Sequence, residues 1–345
     1  MRLLERCIEL LRAFPEHTVL GMGDLMLDQY RRGQANGLSP EAPAIDLLNP
    51  DLSETPGGAA VVAWNIGYLG GHVRMIGVVG KDEEAQRLKH ILGETPGVSL
   101  HLVEDASRPT TLKLRFYHGP FQILRVSQES KQPLSAAIAA ECRERVFQHL
   151  EGCQAVFVED YGKRLIDASM VETLLELRKM RPNLPVVLDP KIGNHHVYKA
   201  GMCSLIKPNW REACELVDMD PDTKDHLRVA QAIAAKYETD VLITLGADGA
   251  FMFERARNRG VRVPTRPREA FDIAGAGDTT LAVAILTLAT GGSLLEAAVL
   301  SNLAGGIVVE KSGTAYATPE ELVAELQHPK TQEILAAVES AYVAS

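Results

Sequence analysis

The chain has 345 residues, of which 46% are hydrophobic and 23% charged, with five cysteines and a formal net charge of −9. That composition suits a globular protein with a sizeable core and excludes a disordered chain or a disulfide scaffold. The acidic balance disfavours nonspecific attraction to nucleic acid or an anionic membrane, so an anionic ligand must be held by locally placed cations and amides.

Residues 1–15 carry Glu5, Arg6 and Glu9 within an apolar stretch and read as an amphipathic helix, not a signal peptide. The cysteines (Cys7, Cys142, Cys153, Cys203, Cys214) show no CxxC spacing, which suits buried thiols in a reducing, cytoplasmic setting and gives no zinc motif. Strand-like apolar runs follow at 18–22, 73–78, 155–158, 186–188, 204–206 and 241–245, separated by helical patterns. Such alternation predicts an α/β fold with a mainly parallel sheet covered by helices on both faces, whose ligands gather at the carboxyl ends of the strands. Polar or glycine-rich groups stand at those ends: Gly23-Asp24, residues 159–163, Asp189-Pro190-Lys191, Lys207-Pro208-Asn209 and residues 246–249.

Two segments break the alternation, 29–52 and 108–126. In the second, Thr110, Leu112, Leu114 and Phe116 fall on one face and Thr111, Lys113 and Arg115 on the other. They predict a small β lid on a single domain spanning 1–345, with no repeat, low-complexity tract or linker.

Near the end, Asp272 to Thr280 places a side-chain-poor turn and a carboxylate before an apolar helix. The amides of Gly275, Ala276, Gly277 and Asp278 then lie at a helix N-terminus, where free donors and the helix dipole attract an anion. Asp278 reads either as a base accepting a proton from an attacking hydroxyl or as a plain helix cap. The apolar stretch 273–309 is broken by Asp278, Gly291-Gly292, Glu296 and Asn302, which argues for core helices and against a membrane span.

Gly57-Gly58-Ala59-Ala60, Asn209-Trp210-Arg211-Glu212, Thr244-Leu245-Gly246 with Gly249, and Asp272 to Asp278 occur in that order. On these motifs the chain resembles the ribokinase-like (PfkB) carbohydrate kinases over nearly its full length. Within them it is most similar to the D-glycero-D-manno-heptose 7-phosphate kinases, the kinase half of a bifunctional enzyme of lipopolysaccharide core synthesis. That similarity rests on residues 23–28, 39–43, 108–113, 160–163 and 189–191, and on Asn302 with Lys311-Ser312-Gly313-Thr314-Ala315. No second half follows Ser345, so the resemblance implies the kinase alone.

The resemblance implies a ribokinase-like fold and a reaction that uses ATP and Mg²⁺, with a monovalent cation as an accessory. Asp278 would be the base, with the amides of Gly275, Ala276 and Gly277 stabilising charge on the transferred group. Asn209 and Glu212 would organise magnesium through water, although Glu212 three residues after Asn209 equally reads as a capping box. Thr244, Gly246 and Gly249 would lie near the nucleotide phosphates, and Asn302 and Gly313 would border the base. Gly57, Gly58, Asp24 and Asp28 would face the sugar, and Lys163 and Lys191 are candidates for its phosphate. Pairing of two lids implies a homodimer.

This sequence departs from the heptose kinase pattern at the acceptor end. Val61 stands where an Asn binds sugar hydroxyls, with Asn65 one turn on as a substitute; Leu38 follows Gly37 where an Arg-Ile pair is expected. Ser127 replaces an acidic residue, Glu159 a small one and Ala274 a Thr. The expected reaction is phosphorylation of heptose 7-phosphate to the 1,7-bisphosphate. The rivals are a kinase for another sugar, sugar phosphate or nucleoside, and a non-catalytic sugar- or nucleotide-binding regulator. An oxidoreductase is disfavoured because no GxGxxG turn follows the first strand.

Overall fold

Fifteen strands form among the described residues of the computed structural model, which are 3–268, 271–311 and 313–344. In chain order they are β1 (Thr18–Gly23), β2 (Leu25–Leu38), β3 (Ile45–Gly58), β4 (His72–Ile76), β5 (Val78–Val79), β6 (Val98–Leu100), β7 (Val103–Glu104) and β8 (Thr111–His118). Then come β9 (Phe121–Gln128), β10 (Ala155–Glu159), β11 (Val186–Asp189), β12 (Leu205–Ile206), β13 (Asp240–Thr244), β14 (Ala250–Glu254) and β15 (Arg259–Val263).

The main sheet runs β15-β14-β13-β12-β11-β10-β1-β4-β6. It is parallel from β6 to β13, and β14 and β15 close it as antiparallel strands. Its central strands are apolar on both faces because helices cover both. Val19, Val73, Ala155 and Phe157 belong to one core, while Leu20, Met22, Val156 and Val158 belong to the other. Strand order reverses at β1, which pairs with β4 on one side and β10 on the other. A crevice opens at the carboxyl ends of such a switch point.

Each of the six strand-like runs of the sequence supplies a strand of this sheet, although Val78 of the run 73–78 falls in β5, which pairs with β7 in a separate two-stranded sheet; the antiparallel edge and the short β6 were not read from the sequence. In β14, Phe251 and Phe253 face one core and Ala250 and Met252 the other. That continuous apolar run has no period to distinguish it from a buried helix segment.

A second sheet, ordered β3-β2-β8-β9, stands over the carboxyl edge. The antiparallel pair β2/β3 leaves the crevice at Leu25 and returns at Gly58, and β8 runs parallel to β2. The segments 29–52 and 108–126 correspond to these strands, of which the first pair runs from Leu25 to Gly58 and the second from Thr111 to Gln128. Gly58 has φ +58, and a Cβ there would lie 2.4 Å from the Asp24 carbonyl oxygen, so only glycine permits the return into the following helix.

The N-terminal helix Leu3–Ala13 buries Leu3, Cys7, Leu10 and Leu11; Met1 and Arg2 of the predicted helix lie outside the described residues. All five cysteines are buried and free. Among the described residues no helix is long and apolar enough to cross a membrane.

Candidate active site

Ser135, Asp167, Ser293 and Thr318 each begin a helix by accepting the amide three residues on. The helix Ala276–Ala289 differs. Its N-cap is Gly275, at φ +77, with no side-chain cap bond. The Gly277 and Asp278 amides donate to no described residue, so the dipole end of a buried helix is left open to an anion. Asp278 is therefore not the cap. It lies in the first turn, buried, and its Oδ1 accepts a 2.9 Å hydrogen bond from the Tyr161 hydroxyl. Asp272 braces the turn by accepting from the Ala274 amide at 2.9 Å and the Gly313 amide at 3.2 Å.

Gly277 and Asp278 face a cavity of about 150 Å³ whose other walls are strand ends: Glu159 of β10, Asp189 of β11, Lys207 and Asn209 after β12, and Thr244 of β13. Tyr161, Lys191 and Glu212 complete it. Lys207, 2% exposed, pairs with Asp189 at 2.6 Å. Burial alone would discharge that lysine, but Asp189 and Glu159 outweigh it and raise its pKa. Glu159 is 3% exposed, and its Oε2 has no hydrogen-bond partner among the described residues. Its pKa is driven well up by burial, then by Asp189 and Asp278. Burial likewise raises Asp278 to about 7, with Asp189 and Asp28 adding repulsion and the Tyr161 bond and Lys207 opposing. A carboxylate with its pKa near neutrality, beside free amides, is suited to take a proton from a hydroxyl while an anion is held next to it.

The donor chemistry fits magnesium. Asp189, Glu212, Glu159 and Asp278 supply hard oxygens in excess of the lysine charge, and one of those oxygens is buried without a partner. No three described carboxyl or imidazole groups converge as a closed metal site, which suits an ion that keeps much of its water. Asn209 and Glu212 form a full capping box, each side chain bonded to the other's amide at 3.0 Å. The Asn209 oxygen is thus occupied by structure, while Glu212, its pKa raised by burial, still lines the cavity.

Two residues expected at the acceptor are hydrogen-bonded within the fold. Asn65 is 0% exposed; its amide donates to the Val61 carbonyl at 2.9 Å and accepts from the Thr279 hydroxyl at 3.0 Å, so it ties two helices together. Val61 is buried too, its Cγ1 4.0 Å from where a Cβ on Gly275 would stand. Asp24 spends its oxygens on the amides of Tyr161, Lys163 and Leu165 at 2.9, 2.8 and 3.2 Å, which fixes the loop carrying Tyr161. Burial, helped by Asp160, pushes its carboxyl to about 6 against those three bonds.

The remaining expected residues divide by position. Asp28, beside Gly57, pairs with Arg115 at 2.7 Å on the small sheet. Lys191 lines the cavity with its ammonium 5.7 Å from the Tyr161 ring centre. Lys163 pairs with Glu129 at 2.7 Å, outside the cavity. Thr244 bridges to Asn209 within it, whereas Gly246 and Gly249 shape the turn beyond, and Asn302 donates to the carbonyls of Val263 and Pro264. Ser312, next to Gly313, lies outside the described residues. Tyr161, Asp189 and Lys207 were not singled out as site residues. Their signal was present, since each stands just after or at the end of a predicted strand.

A model of the pfkB family of carbohydrate kinases matches residues 19–321. The bifunctional protein HldE of Azorhizobium caulinodans is 37% identical over 314 residues, covering 90% of this chain and 64% of that protein. The chain therefore spans less than two thirds of that relative's length. Among solved structures, phosphofructokinase-2 from Escherichia coli in complex with substrates and products superposes with a TM-score of 0.73 at 20% identity, covering 94% of this chain and 99% of the other. Arabidopsis thaliana ribokinase complexed with ribose and ATP gives 0.68 at 18%, covering 90% and 99%.

Proposed function

Because the chain belongs to the pfkB family of carbohydrate kinases, we propose that it transfers the γ-phosphoryl group of ATP to a hydroxyl of a phosphorylated sugar, heptose 7-phosphate, giving the 1,7-bisphosphate. The observation that carries the chemistry is Asp278, buried beside the free amides of the Ala276–Ala289 helix and raised to about 7. Asp278 accepts the proton of the attacking hydroxyl as the new O–P bond forms, and the Gly277 and Asp278 amides stabilise charge on the group in transfer. Tyr161 holds the Asp278 carboxylate in place. Lys191 and Lys207 supply positive charge along the same wall.

Magnesium would be held through water by Glu212 and Asp189, and it would neutralise charge on the phosphates. The small sheet stands over the crevice, and its movement toward the main sheet would exclude water from competing as acceptor. Leu48, Leu52, Phe121, Leu124 and Val126 are exposed on that sheet, a surface suited to a second copy of the chain. The heptose assignment draws on the similarity to HldE.

Coupled measurement of ADP release over a panel of sugars and sugar phosphates, with and without potassium, tests the reading. Heptose 7-phosphate should give the highest kcat/KM. A better non-heptose substrate would reassign the acceptor. Ligand-induced thermal stabilisation without any ADP release would favour a binding protein.

A further inference from the structure

Asp160, the residue that follows β10, is 2% exposed and spends both carboxyl oxygens on groups of its own chain. Its Oδ1 accepts from the Gly162 amide at 2.7 Å, and its Oδ2 accepts from the Asn194 side chain and the Tyr198 hydroxyl, each at 2.6 Å. Asn194 and Tyr198 are buried with it. Burial raises the Asp160 pKa, and the three donors, Tyr198 first, work against that rise.

This carboxylate joins two loops that leave neighbouring strands. The loop after β10 carries Tyr161, whose hydroxyl holds Asp278. The loop after β11 carries Lys191, and its backbone is tied to the same carboxylate, because the Tyr198 hydroxyl accepts from the Lys191 amide at 2.9 Å while donating to Asp160. A hydroxyl can do both at once, and a bare phenyl ring can do neither. Lys191 depends on this tether more than its neighbour does. Lys207, on the same cavity wall, is clamped by Asp189 at 2.6 Å, whereas Lys191 makes no ion pair among the described residues. The Lys191 side chain instead lies along the first loop, where a Cβ on Gly162 would stand 3.7 Å from its Cγ.

We infer that Asp160 and Tyr198 are positioning residues for phosphoryl transfer. One buried carboxylate sets the loop of Tyr161 and, through the Tyr198 hydroxyl, the backbone of Lys191, so that the Asp278 base and the Lys191 charge keep a fixed separation across the cavity. Tyr198 does not line that cavity, and Asp160 reaches it with both oxygens already bonded. Moving a charge by about 1 Å relative to the group in transfer costs rate, up to about 10²-fold, without costing the fold. The roles given to Tyr161 and Lys191 rest on the kinase reading above; the junction of the two loops does not.

Hydrogen exchange and steady-state kinetics on the whole chain test the junction. The Lys191 amide should be protected in the parent, and Tyr198→Phe should speed its exchange about tenfold or more. Tyr198→Phe should also lower kcat about tenfold with the KM for MgATP within about twofold of the parent's. In a Lys191→Met background the same substitution should cost nothing further in kcat, because the group it positions is gone; a merely structural tyrosine would cost the same in both backgrounds. Asn194→Ala removes a bond of equal length to the same Oδ2 but spares the tether, so it should lower the melting temperature and keep kcat. An unprotected Lys191 amide in the parent, which needs no variant, overturns the inference. So does an equal loss of kcat in Tyr198→Phe with and without Lys191, or a loss in Asn194→Ala as large as that in Tyr198→Phe. A Tyr198-dependent Lys191 amide in a chain that releases no ADP with any sugar of the panel refutes the kinase reading and leaves the junction. ADP release with a kcat indifferent to Tyr198→Phe refutes the positioning role and leaves the kinase.

Discussion

The hydroxyl of Tyr161 donates a 2.9 Å hydrogen bond to Oδ1 of Asp278 across 117 residues of sequence. It joins the loop after β10 to the first turn of the helix Ala276–Ala289. The bond favours the charged carboxylate in a setting where burial and neighbouring carboxylates favour the neutral acid.

Tyr161→Phe removes that donor and should move the acidic limb of the kcat–pH profile to higher pH. At pH 7 the rate should fall by roughly tenfold and recover above pH 8.5. An unshifted limb with a uniform loss at every pH would show that the tyrosine only shapes the pocket.

Asp278→Asn should lower kcat by about 10³-fold while nucleotide affinity is kept. The same substitution has a stability signature. The folded carboxyl titrates near 7 and the unfolded one near 3.8, so the folded state holds more protons between those values and stability falls as pH rises through that window. Asp278→Asn should therefore raise the melting temperature at pH 8 and leave it nearly unchanged at pH 4. An equal effect at both would contradict the raised pKa.

Lys207→Met leaves Asp189 and Glu159 buried without their cation. Breaking a buried pair in this way costs about 3–5 kcal/mol, read as a lower urea midpoint at pH 8. The loss should shrink at pH 5, where the orphaned carboxyls protonate. A pH-independent loss would mean that packing, not charge, is what the lysine provides.

Asn65→Ala should cost about 1–3 kcal/mol of stability, because the Val61 carbonyl and the Thr279 hydroxyl lose their partner in a dry core. The acceptor KM should stay essentially that of the parent. A large rise in KM with stability intact would return Asn65 to the acceptor site.

Much of the site could be read before any fold was known, because its residues follow apolar runs where parallel strands end or stand at the start of an apolar helix. Gly275 to Asp278, Asn209 with Glu212, Thr244 and Lys191 all carry that local mark, and all but Gly275 and Ala276 line one cavity. Asp24 carries it as well, and its side chain, like that of Asn65 within a helix, is bonded to groups of its own chain. Periodicity shows that a polar residue sits near a helix start or a strand end, but not whether its partner is a ligand or a buried amide of its own chain.

The sequence alone determined the alternating strands and helices, the helix N-terminus with a carboxylate beside it, and the membership in a kinase family, since these depend on local pattern and spacing. Only the tertiary structure decided which polar groups face the crevice. Tyr161 meets Asp278 and Lys207 meets Asp189 through strand order, and Lys113 and Lys163 converge on Glu129 because a second sheet stands over the first. The perturbed protonation follows from the same cause. Burial and charge neighbours are properties of the packed molecule, and residues far apart in the chain acquire them only when the sheets come together.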